Sequence, residues 1–163
     1  MQVMSETGTP SAAKRARRTQ IIAATIEVIA AEGFAQASFA RIAERAGLSS
    51  TRLISYHFAN KDELVGAVVR HVLASISAYV GARIDAAEAA EGSGNATAIL
   101  SAYIEANVAF IDEDRAQMQA LLQIVLSSGG LPGGNEKPTE TPLAGLLRHG
   151  QSTGEFRTFD VET

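Results

Sequence analysis

The sequence contains no cysteine and no tryptophan, and only four of its 163 residues are proline. Without cysteine the chain has no disulfide framework and no thiolate metal site. Three of the four prolines fall between Pro132 and Pro142, so the alanine-rich stretches elsewhere are not interrupted. This composition predicts an all-α fold, with one domain or a small domain followed by a modest one.

Catalytic and membrane-spanning patterns are also missing. The three histidines, His57, His71 and His149, have no metal-ligand spacing, and the sequence has neither an HExxH motif nor a glycine-rich phosphate loop. We therefore expect no enzyme activity, no metal and no cofactor. No run of about 18 apolar residues occurs, and Glu27 interrupts the one stretch that resembles a signal peptide. These features indicate a cytoplasmic protein with no membrane partner.

Charge is unevenly distributed along the chain. Residues 1–70 carry nine Lys/Arg and six Asp/Glu, whereas residues 71–163 carry five and twelve. Lys14, Arg15, Arg17 and Arg18 crowd the start of the first predicted helix, where the helix dipole disfavours cations. A nearby polyanion would offset this cost, so the pattern favours a partner that carries phosphate. A frayed, solvated helix end is the alternative.

Residues 38–61, SFARIAERAGLSSTRLISYHFANK, predict two short helices joined by a turn. The first has one apolar stripe, and Gly47 can take the left-handed conformation that ends a helix. Ser49, Ser50 and Thr51 can each cap the second helix. That helix places polar side chains around an apolar core and is typical of the second element of a helix-turn-helix, with Arg52, Ser55, Tyr56 and His57 around Leu53, Ile54 and Phe58.

The segments RIAERAGLS (41–49) and YHFANKDEL (56–64) together resemble the DNA-binding domain of the tetracycline-repressor (TetR) family. The resemblance extends from about Arg15 to Leu64, and GQSTGEFR (150–157) resembles a late stretch in many members. The chain has one residue more between Gly47 and Lys61 than the commonest family spacing, and Ser55 stands where an aromatic is frequent. The register of the recognition helix is therefore open by one position.

The resemblance implies a ligand-responsive repressor that binds double-stranded operator DNA as a homodimer and releases it when a small hydrophobic effector binds. It implies phosphate contacts from Ser38, Tyr56, His57 and Lys61, with Arg15 and Arg18 near the same backbone. Base contacts would come from Ser50, Thr51 and Arg52, with help from Arg41. Each of these side chains has a structural alternative, either packing on a neighbouring helix or lying in solvent.

The resemblance also implies an effector cavity among the helices that follow residue 60. The candidate lining residues are Tyr79, Tyr103, Asn107, Phe110, Met118 and Leu122. Aromatic residues and methionine at helical spacing are often ordinary core, so this alternative stays open for each position. Asn107 is the most informative because a buried amide needs a partner. Asp112, Glu113 and Asp114 either hold a hard cation or cap the next helix.

Three regions follow from these patterns: a flexible arm over residues 1–13, a helix-turn-helix domain over 14–60, and a helical effector-binding and dimerisation domain over 61–163. Helices are predicted near 12–31, 61–90, 97–112, 115–126 and 143–152, with a loop over 127–142. On the 97–112 helix the predicted inward stripe is Leu100, Tyr103, Ile104, Val108 and Ile111.

TetR-family members usually continue with two more helices that form the dimer interface, so we expect a chain that is cut short or that dimerises differently. The rival functional hypothesis is a helical protein-interaction module that has kept a helix-turn-helix scaffold without reading DNA.

Overall fold

The computed structural model describes residues 11–91, 94–132 and 141–161, and throughout these ranges the regular secondary structure is helical. The predicted all-α fold is confirmed. The helices are α1 Ala12–Glu32, α2 Phe39–Arg45, α3 Arg52–His57, α4 Lys61–Glu91, α5 Ala96–Glu113, α6 Arg115–Ser128 and α7 Pro142–Thr153, with a 3₁₀ turn at Phe34–Gln36.

Most predicted helix boundaries agree with the structure within one or two residues. The predicted arm and loop are each longer than in the structure. Ser11 caps α1, so Ala12 and Ala13 are helical, and α6 continues to Ser128. The rest of the arm (1–10) and the middle of the loop (133–140) lie outside the described residues.

The first helix carries the core of the N-terminal part of the molecule. Its N-cap is Ser11, whose Oγ accepts a hydrogen bond from the Lys14 amide at 3.3 Å, and it ends at Gly33. That residue has φ of 98°, a value that glycine adopts without the Cβ clash of other residues. The buried face of α1 contains Ile21, Ile22, Ala24, Thr25, Ile26, Val28 and Ile29.

Helices α1 to α4 pack around a small apolar core that also includes part of α6. Ile54 and Phe58, at the middle and end of α3, are buried there beside Leu64 and Val68 of α4. Ala120 and Ile124 of α6 lie in the same cluster and are both fully buried. The helix-turn-helix is therefore anchored from within by its own residues and from outside by α6.

A single hydrogen bond ties α6 to the turn before α2. The amide of Phe34 donates to Oε1 of Gln123 at 2.9 Å, across 89 residues of sequence. Since Phe34 begins the 3₁₀ turn that leads into α2, this bond connects α6 to the start of the helix-turn-helix.

The remaining helices pack along α4. This helix is capped by Asn60, whose Oδ1 accepts from the Glu63 amide at 2.8 Å, and its 31 residues make it roughly 46 Å long. Helix α5 packs against α4, and α7 packs against α5. Beyond α7, the Glu155 carboxylate accepts from the amides of Ala96 and Thr97 at 2.9 and 3.0 Å. The GQSTGEFR segment thus satisfies the first turn of α5.

The predicted inward stripe of α5 is wrong for three of its five members. Ile104, Val108 and Ile111 are 54%, 62% and 52% exposed. The buried residues of α5 are instead Ala96, Ile99, Ala106 and Phe110. Small side chains allow α5 to approach α4 closely, and a helix that is apolar on both sides does not reveal by periodicity which side faces inward.

Helix α4 also meets the length and composition expected of a membrane span, contrary to the sequence-based expectation. Lys61–Ala90 contains a window with a mean hydropathy of 1.5, of which 39% is buried inside the structure. Leu64, Val68 and Val72 lie in the core, and this packing role is itself a sufficient reason for the apolar composition.

Candidate nucleic-acid interface

The short helix α3 presents a polar face outward because two apolar side chains hold its other face. Ile54 and Phe58 are buried, whereas Arg52, Ser55 and Tyr56 are exposed. The helix begins at Arg52 after the cap residue Thr51, and Ser50 Oγ accepts from the Arg52 amide at 3.1 Å. The predicted base-reading residues Ser50, Thr51 and Arg52 therefore lie together at the exposed N-terminus of α3.

Tyr56 stands at the other end of α3 with 72% of its surface exposed. Its ring meets the His57 ring edge-on at 5.1 Å between centroids, and Lys14 Nζ lies 5.5 Å from its centroid. An exposed tyrosine with a lysine above it offers a hydroxyl donor and a cation on one surface. The predicted phosphate contact of Tyr56 is compatible with this position and remains a prediction.

The basic cluster at the start of α1 divides into outward-facing and inward-facing members. Lys14, Arg15 and Arg17 are exposed, and Arg17 Nη1 donates to Gln20 Oε1 at 2.7 Å on its own helix. Because Lys14 lies against Tyr56, this group adjoins the exposed face of α3. Lys14 and Arg17 were not among the DNA-contact residues predicted from sequence, although the charge cluster signalled them.

Arg18, by contrast, bonds to groups of the protein itself, although 36% of its side chain stays exposed. Its Nη1 donates to the His57 carbonyl at 2.6 Å, and its Nη2 lies 3.3 Å from Glu63 Oε1. The guanidinium also stacks over the Phe58 ring at 4.0 Å from the centroid. Arg18 thus joins the C-terminus of α3 to α4, a positioning role that the sequence prediction of a DNA contact did not foresee.

Three other predicted contacts also have partners within the protein. Lys61 Nζ donates to the Phe34 carbonyl at 3.4 Å, and Arg41 pairs with Glu32 and Glu44 at 3.3 and 3.4 Å. Ser38 Oγ accepts from the Arg41 amide as the N-cap of α2, which leaves its hydroxyl proton available to a phosphate. Arg52 has no ion-pair partner among the residues that the structure describes.

His57 occupies a half-buried position between these groups. Burial lowers its pKa below the usual 6.5, and the positive charges of Lys14, Arg18 and Arg17 lower it further. Its Nδ1 is buried and has no hydrogen-bond partner within the described part of the chain. A neutral imidazole at pH 7 can still donate one hydrogen bond to a phosphate, but without adding charge.

We expect the fold to lose stability in mild acid because of His57. Its folded-state pKa is depressed, so the unfolded chain binds the proton more readily and stability falls as pH drops through 6.5 towards the folded value. Urea unfolding at pH 7.5 and 5.5 measures the loss, and His57→Asn should reduce it. A His57→Asn protein that loses as much stability between the two pH values as the original chain would contradict this assignment.

The six predicted effector residues do not line one cavity. Tyr103 and Asn107 line a cleft of about 480 Å³ between α4, α5 and the start of α7. Met118 and Leu122 line a different, outer groove of about 570 Å³. Tyr79 packs its ring against buried Phe110 at 5.4 Å, and its hydroxyl accepts from Arg83. In this structure the six residues are thus divided between a cleft, an outer groove and a packed pair of rings, and their part in binding an effector stays a prediction.

The cleft between α4, α5 and α7 is mainly apolar with a few polar groups. Its other lining residues are Ile76, Ser77, Val80, Gly81, Ile84, Thr141, Pro142 and Leu143. The Asn107 side chain donates to the Tyr103 carbonyl at 2.8 Å, which leaves its own carbonyl oxygen available. Sequence reasoning missed the α4 and α7 walls, although Gly81 within an apolar helix was a usable signal for space beside the backbone.

Comparison with known proteins identifies the N-terminal part of the chain. Residues 21–68 match the family described as bacterial regulatory proteins, tetR family. HTH-type transcriptional regulator BetI of Ectopseudomonas mendocina (strain ymp) is 46% identical over 67 residues, which are 41% of this chain and 34% of that protein. HTH-type transcriptional regulator BetI of Escherichia coli O17:K52:H18 (strain UMN026 / ExPEC) is 35% identical over 112 residues, 69% of this chain and 55% of the relative.

HTH-type transcriptional regulator BetI 2 of Chromohalobacter salexigens is 40% identical over 91 residues, 56% of this chain and 42% of its own length. The chain therefore spans between about a third and just over half of these relatives. No solved structure matches the chain. The family match covers the second half of α1, helices α2 and α3, and the first turns of α4.

Proposed function

We propose that this protein, whose residues 21–68 form a helix-turn-helix domain of the TetR family, is a transcriptional regulator that binds double-stranded DNA through α3. The observation that carries the proposal is the exposed polar face of α3. From Ala46 to Phe58 the sequence contains no acidic residue, and Lys14, Arg15 and Arg17 lie at the α1 end that adjoins this face. Such a surface suits the major groove, where phosphates flank the base edges.

The exposed groups divide into two kinds of contact. Arg52 at the N-terminus of α3, with Ser50 and Thr51, suits base edges, and an arginine that bonds both acceptors of guanine contributes about 1–3 kcal/mol of discrimination. Tyr56, Lys14 and Ser38 suit phosphate oxygens, to which most protein–DNA hydrogen bonds are made. In a dimer the two copies of α3 would enter successive major grooves roughly 34–36 Å apart.

Regulation by a small molecule is the second part of the proposal. The cleft between α4, α5 and α7 would take an effector that is mainly apolar, with a polar group for Ser77, Tyr103 or Asn107. Residues 14–60 would act as the DNA-binding domain and residues 61–163 as the effector and dimerisation domain of a cytoplasmic repressor. The effector would bind more tightly to a conformation in which the two recognition helices are not spaced to enter successive major grooves. By linkage, its binding would then lower the affinity for DNA.

Salt dependence of DNA binding tests the proposal. Duplexes selected from a random pool, and the DNA upstream of the protein's own gene, serve as probes. We expect the logarithm of the binding constant to fall linearly with the logarithm of salt concentration. Arg52→Ala should reduce the preference for the selected sequence by about tenfold or more, whereas Lys14→Ala should weaken all sequences alike.

The interaction-module hypothesis predicts a different outcome for the same titration. If no duplex binds more tightly than about 10⁻⁴ M at low salt, the affinity is at or below the usual non-specific level. The DNA-reading function would then be wrong, and the helix-turn-helix would be a scaffold for protein contacts. If Arg52→Ala and Lys14→Ala act alike, the division between base and phosphate contacts is wrong instead.

A further inference from the structure

One leucine of α3 is exposed, although the sequence pattern grouped it with the two apolar residues that are buried. Leu53 is 38% exposed, whereas Ile54 and Phe58 are 0% and 1% exposed. Leu53 also lies outside the apolar core cluster, against which Leu48 of the preceding turn packs. The core that anchors the helix-turn-helix therefore does not account for a leucine at this position.

Exposed apolar side chains in this part of the molecule are confined to α3. Among the described residues from 11 to 60, every large aliphatic or aromatic side chain other than Leu53 and Tyr56 is buried or half-buried. A single exposed leucine is ordinary on a protein surface. Here, however, both exceptions lie on the helix that is proposed to enter the major groove, which favours a role for the alkyl group of Leu53 in that groove.

Leu53 faces the same outer surface as its polar neighbours on α3. Leu53 and Tyr56 are three positions apart, so their side chains are neighbours on the helix surface. Tyr56 is 72% exposed, with Lys14 Nζ 5.5 Å from the centre of its ring. Arg52 precedes Leu53 and is exposed as well. Leu53 thus lies between a side chain that suits base edges and one that suits phosphate oxygens.

The major groove presents one kind of apolar group on its base edges, the C5-methyl of thymine. Guanine, adenine and cytosine present hydrogen-bond donors and acceptors there, and thymine presents an acceptor together with its methyl. An alkyl side chain satisfies neither a donor nor an acceptor, and covering such a group without a partner costs free energy. In the groove Leu53 therefore gains by contact with a thymine methyl and loses against the other base edges.

We propose that Leu53 is a specificity-determining residue that contacts the C5-methyl of a thymine in the bound DNA. The inference rests on the proposed function, in which α3 enters the major groove. Consecutive Cα atoms are about 3.8 Å apart, and base pairs are about 3.4 Å apart along the duplex. The thymine therefore lies within about two base pairs of the guanine that Arg52 would contact.

Removal of single methyl groups from the DNA tests this contact. A duplex is selected from a random pool with the original chain, and each thymine in it is replaced in turn by deoxyuridine, which lacks only the C5-methyl. We expect replacement of the contacted thymine to weaken binding about fourfold, the value for one buried group of methyl size. The slope of the binding constant against salt should stay the same, because an apolar contact releases no counterions.

A double-mutant cycle assigns the methyl contact to Leu53. Leu53→Ala should bind the selected duplex more weakly and should not distinguish thymine from deoxyuridine at the contacted position. Leu73→Ala is the matched control, at a leucine of α4 that is 40% exposed. It should leave unchanged both the affinity and the difference between thymine and deoxyuridine. Urea unfolding of each variant checks that the fold is retained.

A methyl group on a different base separates methyl recognition from the hydrogen-bond pattern of thymine. Changing the contacted T·A pair to C·G should weaken binding by the original chain. Placing 5-methylcytosine at that position should then recover about fourfold of the loss for the original chain and none for Leu53→Ala. A recovery that depends on the leucine shows that the methyl group itself is recognised.

Two results would overturn the inference: binding by the original chain that no deoxyuridine replacement weakens, or a loss that is equally large with Leu53→Ala. The second result would mean that the methyl acts through the shape of the DNA or through another side chain. In both cases sequence-specific, salt-dependent binding would leave the proposed function intact. If no duplex is bound at all, the proposed function fails, and the assignment of Leu53 fails with it.

Discussion

Arg18→Met is expected to destabilise the helix-turn-helix and to lower DNA affinity without changing its salt dependence. The substitution removes the bond to the His57 carbonyl, the ion pair with Glu63 and the contact with Phe58. A hydrogen bond from a charged donor contributes about 1.5–3 kcal/mol, and the ion pair adds little because solvent screens it. We expect the free energy of unfolding to fall by about 2 kcal/mol in urea titrations.

The salt titration separates this positioning role from a phosphate contact. If Arg18 only orients α3, binding weakens at every salt concentration and the slope against log salt stays the same. Arg17→Met is the matched control, since Arg17 is exposed one residue away and bonds to Gln20 on its own helix. It should leave stability within about 0.5 kcal/mol and reduce the slope by about 0.9. A reduced slope for Arg18→Met would restore the sequence-based assignment of Arg18 to phosphate.

Gly150→Ala is expected to destabilise the C-terminal helices even though alanine is the better helix former. Gly150 is buried in α7, and a Cβ there would collide with the ring of Phe156. The chain folds back so tightly that the Phe156 amide donates to the Gly150 carbonyl at 2.9 Å. Moving the ring also disturbs Glu155, which caps α5 at Ala96 and Thr97. Overpacking of this kind costs about 1–3 kcal/mol.

Urea unfolding and hydrogen exchange at the Ala96 and Thr97 amides measure this effect. The matched control is Gly81→Ala, at a helical glycine whose added Cβ meets nothing within 4 Å, and it should stabilise by about 0.5–1 kcal/mol. In the Phe156→Ala background the collision is absent, so Gly150→Ala should become neutral or stabilising there. A Gly150→Ala protein as stable as the Gly81→Ala protein would show that Phe156 does not pack on α7 in solution.

The capping interactions show what local sequence can predict. Ser38 and Asn60 were predicted as N-caps because the first amides of a helix need a side-chain acceptor, and Gly33 was predicted to end α1 because glycine tolerates a positive φ. The structure has all three residues in these roles. The exposed face of α3 could also be predicted from the sequence, because Ile54 and Phe58 are large apolar side chains that are expected to be buried, as they are in the structure.

The roles of charged and apolar residues after residue 60 were predicted less well. Nothing in the sequence near Arg18 indicates that its partners are a carbonyl 39 residues away and a carboxylate 45 residues away. Periodicity likewise assigned Ile104, Val108 and Ile111 to the interior. The competing face of α5 contains alanines, whose small size permits close helix packing but gives a weak hydrophobic signal.

Local sequence patterns were enough to predict the helices, their ends and the polar outer face of α3, because capping, helix periodicity and turn geometry depend on residues within a few positions of each other. Three features depend on long-range packing: the bond from Arg18 to the end of α3, the contact of α6 with the turn at Phe34, and the division of the predicted effector residues between a cleft and an outer groove. These outcomes depend on which faces pack together. Which helix faces pack together is set by the free energy of the whole chain, so no local sequence pattern predicts it.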